Sequence, residues 1–431
     1  MVVLNKSIPV DKTKLNQCTF KLPQNYNFEI EKIVNTITLN KLKRIAFQFP
    51  DGLLRYALII VDTIKFMCDV EECIILGDVV YGACCVDDTS AYKLNCDILV
   101  HFGHSCLVPM NLCKVRCLYV FVDIYIDIEH AIKMIKKIAE ERIKLDKKID
   151  VKCNVLKTSN NINYENIKPL DDYFTNENVN IEDKNKEIIH EDDENIKNKD
   201  IVLYEKINHQ QYENEFSKMA IVGTIQFNAA INVISKKLNI FVPQVKPLSR
   251  GEVLGCTSPF LGNKKICIYI SDGRFHLESV MIKNTAALFY KYCPFTKKMT
   301  REYYDHEKML ANRKKSINKF FSQCKHIGII YGILGRQGST KIYRNISDYL
   351  KQRDFFVYKI TLKEINETIL DSLSFCDAFV QISCPRLSID WGHNYKKPLL
   401  NPFEVFNHLD TNTIYEMDYY SKEKSQLWNN Y

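Results

Sequence analysis

The sequence predicts an α/β protein made of three similar parallel-sheet domains, packed in a pseudo-threefold arrangement. Short β-branched runs alternate with amphipathic stretches of helical period, and the alternation starts afresh three times along 431 residues. Strands that alternate with helices in this way demand parallel pairing with right-handed crossovers. The length agrees, since roughly 100 to 200 residues per domain gives two to four domains. So does the composition: 46% hydrophobic and 26% charged residues lie within the globular range and outside that of disordered chains.

The first domain is expected over residues 1–113. Ile45–Phe49 reads as a strand, Leu53–Cys68 as an amphipathic helix and Cys73–Leu76 as a second strand, followed by a turn from Gly77 to Cys85. A further helix leads into the strand Ile98–Phe102. The second domain, 114–320, is expected to open on the strand Cys117–Val122 and the helix Ile128–Ile138. Residues 153–215, rich in Asn, Lys, Glu and Asp, read as a disordered surface insertion, which closure entropy penalises only logarithmically. Beyond it come a strand at Ala220–Thr224, a helix at Asn228–Leu238, a strand at Ile240–Val245, a turn at Leu254–Cys256 and a strand at Ile266–Ile270. In the third domain, 321–431, the strand Ile327–Tyr331 leads into a glycine loop, Gly335–Ser339, that opens a helix; Phe355–Ile360 and Ala378–Ile382 are strands. The tail from Asp410 has no period.

Several function classes are disfavoured. The most apolar stretch, Tyr56–Met67, is broken by Asp62 and Lys65, so no spanning helix is expected. The net charge of +7 is spread along the chain, and its densest basic group, Arg313–Lys315 with Lys319, fits a solvated helix face; no nucleic acid is expected. Met1–Val10 lacks an apolar export signal, which makes the cytoplasm the expected compartment and reduced thiols the expected state of the 16 cysteines. Cys68, Cys73, Cys96, Cys117, Cys267, Cys293 and Cys376 sit in apolar runs and need no role beyond packing. Cys113 and Cys117 have no matching pair to complete a zinc pattern. Gly335–Ser339 lacks the lysine of a phosphate-binding loop. His101 and His104 flank a strand end as satisfied loop histidines.

Three cysteines stand apart. Cys84, Cys256 and Cys384 each follow a strand or a strand turn, one per domain, flanked by Gly82 and Ala83, by Gly255, and by Ser383 and Pro385. Ligands of parallel sheets gather at such strand ends. If the domains pack around a common centre, three inward thiolates can hold a 4Fe-4S cluster by three irons and leave the fourth open. Structural thiols are the other reading.

The wording around them is more specific. Gly77–Asp88, His101–Cys106, Leu254–Pro259, Asp272–Glu278, Leu334–Ser339 and Ser383–Gly392 together resemble the diphthamide synthases, from about Lys43 to Tyr420 apart from the insertion. The resemblance implies a radical transferase in which Cys84, Cys256 and Cys384 bind a 4Fe-4S cluster and act in catalysis. Its substrate is S-adenosylmethionine, whose 3-amino-3-carboxypropyl group passes to a histidine of translation elongation factor 2. The same likeness makes the chain the catalytic half of a heterodimer with a second diphthamide synthase subunit, served by an electron-donor protein. Cys85 competes with Cys84 for the ligand role, and only the motif favours Cys84. Cofactor contacts are expected from Gly335, Arg336, Gln337, Gly338 and Ser339, from Thr224 and Gln226, and from Arg386 and Asp390. Arg336 or Arg386 would hold the methionine carboxylate, with a structural role open for each. The rival from another class is a noncatalytic α/β scaffold that binds a small ligand or uses zinc for structure.

Overall fold

A computed structural model describes residues 9–78, 80–158, 207–407, 409, 413–420 and 425–430, with the backbone alone for 148–158. Its architecture is α/β, with three four-stranded sheets flanked by helices. In the first sheet Glu72–Leu76, Arg44–Gln48, Ile98–Phe102 and Arg116–Val120 run parallel in that spatial order. Lys298–Glu302, Leu288–Cys293, Ile266–Ile270 and Met219–Gly223 make the second, parallel except for the first pair. The third sets Phe356–Leu362, His326–Gly332, Ala378–Ile382 and Leu399–Leu400 side by side, all parallel. Helices cover both faces of the inner strands, so runs such as Ile98–Phe102, Ile266–Ile270 and Ala378–Ile382 are buried throughout. Continuous apolar runs are what a doubly covered parallel strand requires.

Four expectations need correction. The strand expected to open the second domain pairs instead with Ile98–Phe102, Leu99 opposite Cys117 and Val100 opposite Leu118. Ile98–Phe102 is an inner strand with Arg44–Gln48 on one side and Arg116–Val120 on the other, so the latter belongs to the first sheet. Residues 240–245 form no strand. One bridge joins Phe241 to Ala220, and Pro243, which has no N–H to donate, lets the chain peel away. The second sheet is mixed, because Leu288–Cys293 and Lys298–Glu302 form a hairpin with Lys297 in the left-handed region. The insertion is shorter than expected: the helix Ile128–Thr158 runs into it, and His209–Ser217, started by a reciprocal Asn208 and Gln211 capping box, ends it. Residues 159–206 lie outside the described residues.

Two helices, Lys12–Thr19 and Ile30–Asn40, precede the first sheet, and Ile33, Val34 and Ile37 of the second pack with Ile60 and Ile64. The tail is ordered where described: Tyr415, Met417, Tyr419 and Tyr420 are buried in the core that joins the first and third sheets.

Candidate functional site

The Cys84 turn is gripped by the third domain. Ala83–Cys85 form one tight helical turn beyond the strand Glu72–Leu76, closed by Cys85 N–H to Gly82 O at 2.9 Å. Gly335 leans on this turn in the left-handed conformation, with φ of 58°; a Cβ there would lie 2.5 Å from the Cys85 carbonyl carbon. Only glycine fits both the angle and the approach. The next amide, Arg336 N–H, donates to Cys84 O at 2.8 Å. Gln337 places its amide nitrogen 3.6 Å from both Cys84 Sγ and Cys85 Sγ, while its oxygen accepts from Ser383 Oγ beside Cys384. Buried Gln48 completes the support, donating to Cys85 O at 2.9 Å and accepting from Asp87 N–H at 3.1 Å.

Cys256 and Cys384 are held in similar fashion. Thr257 Oγ1 lies 3.6 Å from Cys256 Sγ and donates to Asp418 Oδ1 of the tail at 3.0 Å. The Phe275 ring lies against Gly255, where a Cβ would stand 2.1 Å from it. Cys384 follows its strand directly, and its carbonyl accepts from Gln381 Nε2 at 2.9 Å and Leu387 N–H at 3.0 Å.

The three thiols share one electrostatic environment. Cys84 is pushed well up by the hydrogen bond it gives Cys85, then by burial and by the charges of Cys85, Cys256 and Cys384. Burial and the neighbouring Cys384 push Cys256 up; burial raises Cys384 to about 11. Cys85 moves the other way, to about 7, because its sulfur accepts from Cys84, from the backbone of Tyr81 and Gly82 and from Gln337. Tyr419 and Tyr420 close the site from the tail, Tyr419 beside Cys384 and Cys256 and Tyr420 beside Cys84, Cys256 and Cys85. Tyr420 donates to Arg336 O at 3.0 Å, whereas the buried Tyr419 hydroxyl has no hydrogen-bond partner among the described residues. Sequence reasoning missed both tyrosines; the paired aromatics in a polar tail were the one signal. A cavity of about 320 Å³ opens beside Cys256, walled by Phe260, Lys283, Met417 and Trp428.

The family model for diphthamide synthesis proteins matches residues 49–204 and 193–420. A relative named 2-(3-amino-3-carboxypropyl)histidine synthase subunit 1, from Encephalitozoon cuniculi, is 42% identical over 100% of both chains. The chain belongs to the diphthamide synthesis protein family. Relatives of the same name from Debaryomyces hansenii and Schizosaccharomyces pombe are 40% and 37% identical, covering 95% and 96% of this chain and 83% and 81% of their own. Dph2 from Pyrococcus horikoshii, whose crystal structure contains a 4Fe-4S cluster, shares the fold with a TM-score of 0.63 and 20% identity, over 92% of this chain and 94% of that one.

In this diphthamide synthesis protein, the expected cofactor residues serve largely to join the domains. Arg336 pairs with Asp88, Nε to Oδ1 at 2.7 Å and Nη2 to Oδ2. Arg386 is buried with its donors engaged: Nε on Asp390 at 2.9 and 3.0 Å, Nη2 on Glu278, and Nη1 on Phe275 O at 2.9 Å. For Arg386 and Asp390 this is the structural pairing that the sequence left open. Ser339 caps the helix Thr340–Lys351, and Gly338 lies against the Tyr331 ring and Gly332 O, where a Cβ would collide. Gln226 Nε2 donates to Gly103 O and joins the first two domains; Thr224 Oγ1 faces Ser271 Oγ at 3.5 Å.

His101 is satisfied, as expected: Nδ1 meets Gln48 Oε1 at 2.8 Å and Nε2 meets His104 Nδ1 at 3.1 Å. Burial lowers His104 and His276 from 6.5 to about 4, with further lowering from His276 on the former and Arg386 on the latter. Both are neutral in the folded protein near neutrality. As pH falls from about 6.5 to about 4, the unfolded chain takes up protons there that the folded chain refuses, so stability is full above this window and lost across it. Thermal melts of His104→Gln should show a shallower decline over that range than wild type; parallel profiles would contradict the assignment.

Proposed function

We propose that this chain is the catalytic subunit of a 2-(3-amino-3-carboxypropyl)histidine synthase, which moves the 3-amino-3-carboxypropyl group of S-adenosylmethionine onto a histidine of translation elongation factor 2. Relatives of the same name along the full length support the activity. The observation that carries the reading to residues is the meeting of Cys84, Cys256 and Cys384, one from beyond each sheet, in one electrostatic environment.

The donor set fits a 4Fe-4S cluster. Thiolates are the ligands such clusters take, and three of them leave one iron without a protein ligand. The raised thiols give up their protons as iron replaces them. Cys84 feels the charges of Cys256 and Cys384, whereas contacts from Cys84, the backbone of Tyr81 and Gly82, and Gln337 lower the Cys85 thiol, which supports Cys84 as the ligand. Tyr419, with its hydroxyl buried and unpartnered, has a hydrogen bond to offer a thiolate or sulfide there. Among the described residues no three or more His, Cys, Asp or Glu side chains are placed to hold a single ion, and Cys84, Cys256 and Cys384 are no exception. A cluster held by Cys84, Cys256 and Cys384 would supply the electron that cleaves the sulfonium of the substrate.

The protein's part is to position the substrate. The cavity beside Cys256 is the approach this reading gives S-adenosylmethionine, and Lys283 on its wall, whose Nζ donates to Ser258 O at 2.9 Å, has further N–H groups to offer the methionine carboxylate. Which carbon-sulfur bond breaks depends on how that arm is held. A second subunit completes the heterodimer, an electron-donor protein supplies reducing equivalents, and the cytoplasm is the site of action. No described helix is long and apolar enough to cross a membrane. Reduced protein reconstituted with the second subunit and elongation factor 2 should release 5'-methylthioadenosine; release of 5'-deoxyadenosine would refute the proposed transfer.

A further inference from the structure

Two of the sequence motifs, Asp272–Glu278 and Ser383–Gly392, meet on one buried guanidinium. Arg386 stands two residues after Cys384, its side chain is 2% exposed, and it reaches into the second domain. Nη1 donates to Phe275 O at 2.9 Å and, more weakly, to Gly255 O at 3.4 Å, the carbonyl just before Cys256. The guanidinium carbon also lies over the Phe275 ring, 4.4 Å from its centroid, and the same ring rests against Gly255. Arg386 thus grips the Cys256 turn twice, through a carbonyl and through the ring packed on it. Two carboxylates hold the fork in place. Nε meets both oxygens of Asp390 at 2.9 and 3.0 Å, and Nη2 meets Glu278, which also accepts from Arg274 Nε at 2.8 Å. Charges alternate along Arg274, Glu278, Arg386 and Asp390, and a planar fork clamped on two sides can aim its remaining donors in one direction only.

We infer that Arg386 is a positioning residue that fixes the Cys256 turn against the Cys384 turn, so that these two thiols keep a set relation to each other with or without iron. The inference rests on the three-thiol reading above. Cys84 is held separately, through Gly335 and the Arg336 amide, so loss of the Arg386 fork loosens the seam between the second and third domains and leaves the Cys84 turn in place. Groups that orient metal ligands from outside the ligand set ordinarily change metal retention about 10- to 100-fold. The fork and the charge of Arg386 act on different observables. A neutral replacement leaves Glu278 and Asp390 less compensated beside the thiols, and added negative charge makes an iron-sulfur cluster harder to reduce.

The test uses the full chain reconstituted anaerobically with iron and sulfide, and reads iron release to a chelator, the reduction potential of the cluster and melting of the metal-free protein. Arg386→Gln should release iron about 10 to 100 times faster than wild type and shift the potential downward. Arg386→Lys keeps the charge but not the fork, so it should also release iron faster, at a potential near that of wild type. Should both variants fail to fold, Phe275→Leu, which removes the ring that touches the guanidinium and Gly255, should speed release in the same way, and unchanged release there would overturn the inference. Wild-type release and potential in Arg386→Gln, with only a lower melting temperature, would make Arg386 a structural brace and overturn it. Wild-type retention of iron in Arg386→Lys would do the same, since charge alone would then suffice. A wild type that takes up no cluster would instead overturn the three-thiol reading, and this inference with it.

Discussion

Arg313→Ala is expected to destabilise the third domain by about 3 to 5 kcal/mol, the usual consequence of leaving a buried charge without its partner. Arg313, expected on a solvated helix face, is instead buried: it and Glu404 are both 0% exposed, joined by Nε to Oε1 at 2.6 Å and Nη2 to Oε2 at 2.7 Å. Arg313 also donates to Leu399 O at 2.8 Å, and Tyr415 of the tail donates to Glu404 Oε1 at 2.6 Å. Glu404 in turn accepts from Asn401 N–H at 3.0 Å in the capping box of the helix Pro402–Phe406. One guanidinium thus fixes the strand Leu399–Leu400, this helix and the tail that carries Tyr419. Urea unfolding should show the loss. The double variant Arg313→Met with Glu404→Leu should recover much of it, because the cost lies in the orphaned carboxylate. A single variant as stable as wild type would contradict the network.

Arg336→Ala should act on stability before it acts on substrate. Asp88 is 0% exposed and the Arg336 side chain 26%, so removing the guanidinium leaves a buried carboxylate with the Lys114 amide as its remaining partner, at an expected cost of about 3 kcal/mol. The loss falls at the contact that holds the Cys84 turn against Gly335. Differential scanning calorimetry should show a lower melting temperature, while calorimetric binding of S-adenosylmethionine to the surviving folded protein stays near wild type. Lys283→Ala should weaken binding, with the melting change limited to the loss of its hydrogen bond to Ser258 O. Selective loss of binding in Arg336→Ala would return the carboxylate to that residue.

What the sequence conveyed and what it hid divide along local and nonlocal lines. Ile98–Phe102, Ile266–Ile270 and Ala378–Ile382 were legible because an inner parallel strand is apolar on both faces and needs no knowledge of its neighbours. Which sheet Arg116–Val120 joins depends on pairing with Ile98–Phe102 rather than on its own residues, and it was misplaced. The same holds for charge. Arg336 and Arg386 stood out as cations near cysteine motifs, but their partners, Asp88 and Glu278, come from other domains and carry no mark of the pairing. Tyr419 and Tyr420 sit in a segment with no period, so only the folded chain shows that they cover the thiols. Between Cys84 and Cys85 the residues alone were silent; the contacts that lower the Cys85 thiol form only in the folded turn.

The central claim is that Cys84, Cys256 and Cys384 hold one cluster between them, and iron and acid-labile sulfide analysis of anaerobically purified protein, wild type against single alanine variants, tests it most directly. Wild type should be brown, absorb broadly near about 400 nm and carry about four iron and four sulfide per chain, as a thiolate-bound cluster does. Cys84→Ala, Cys256→Ala and Cys384→Ala should each lose it, while Cys85→Ala keeps most, since changes beside a ligand weaken a site without abolishing it. A full cluster in any of the first three variants, or a colourless wild type carrying stoichiometric zinc, would contradict the claim.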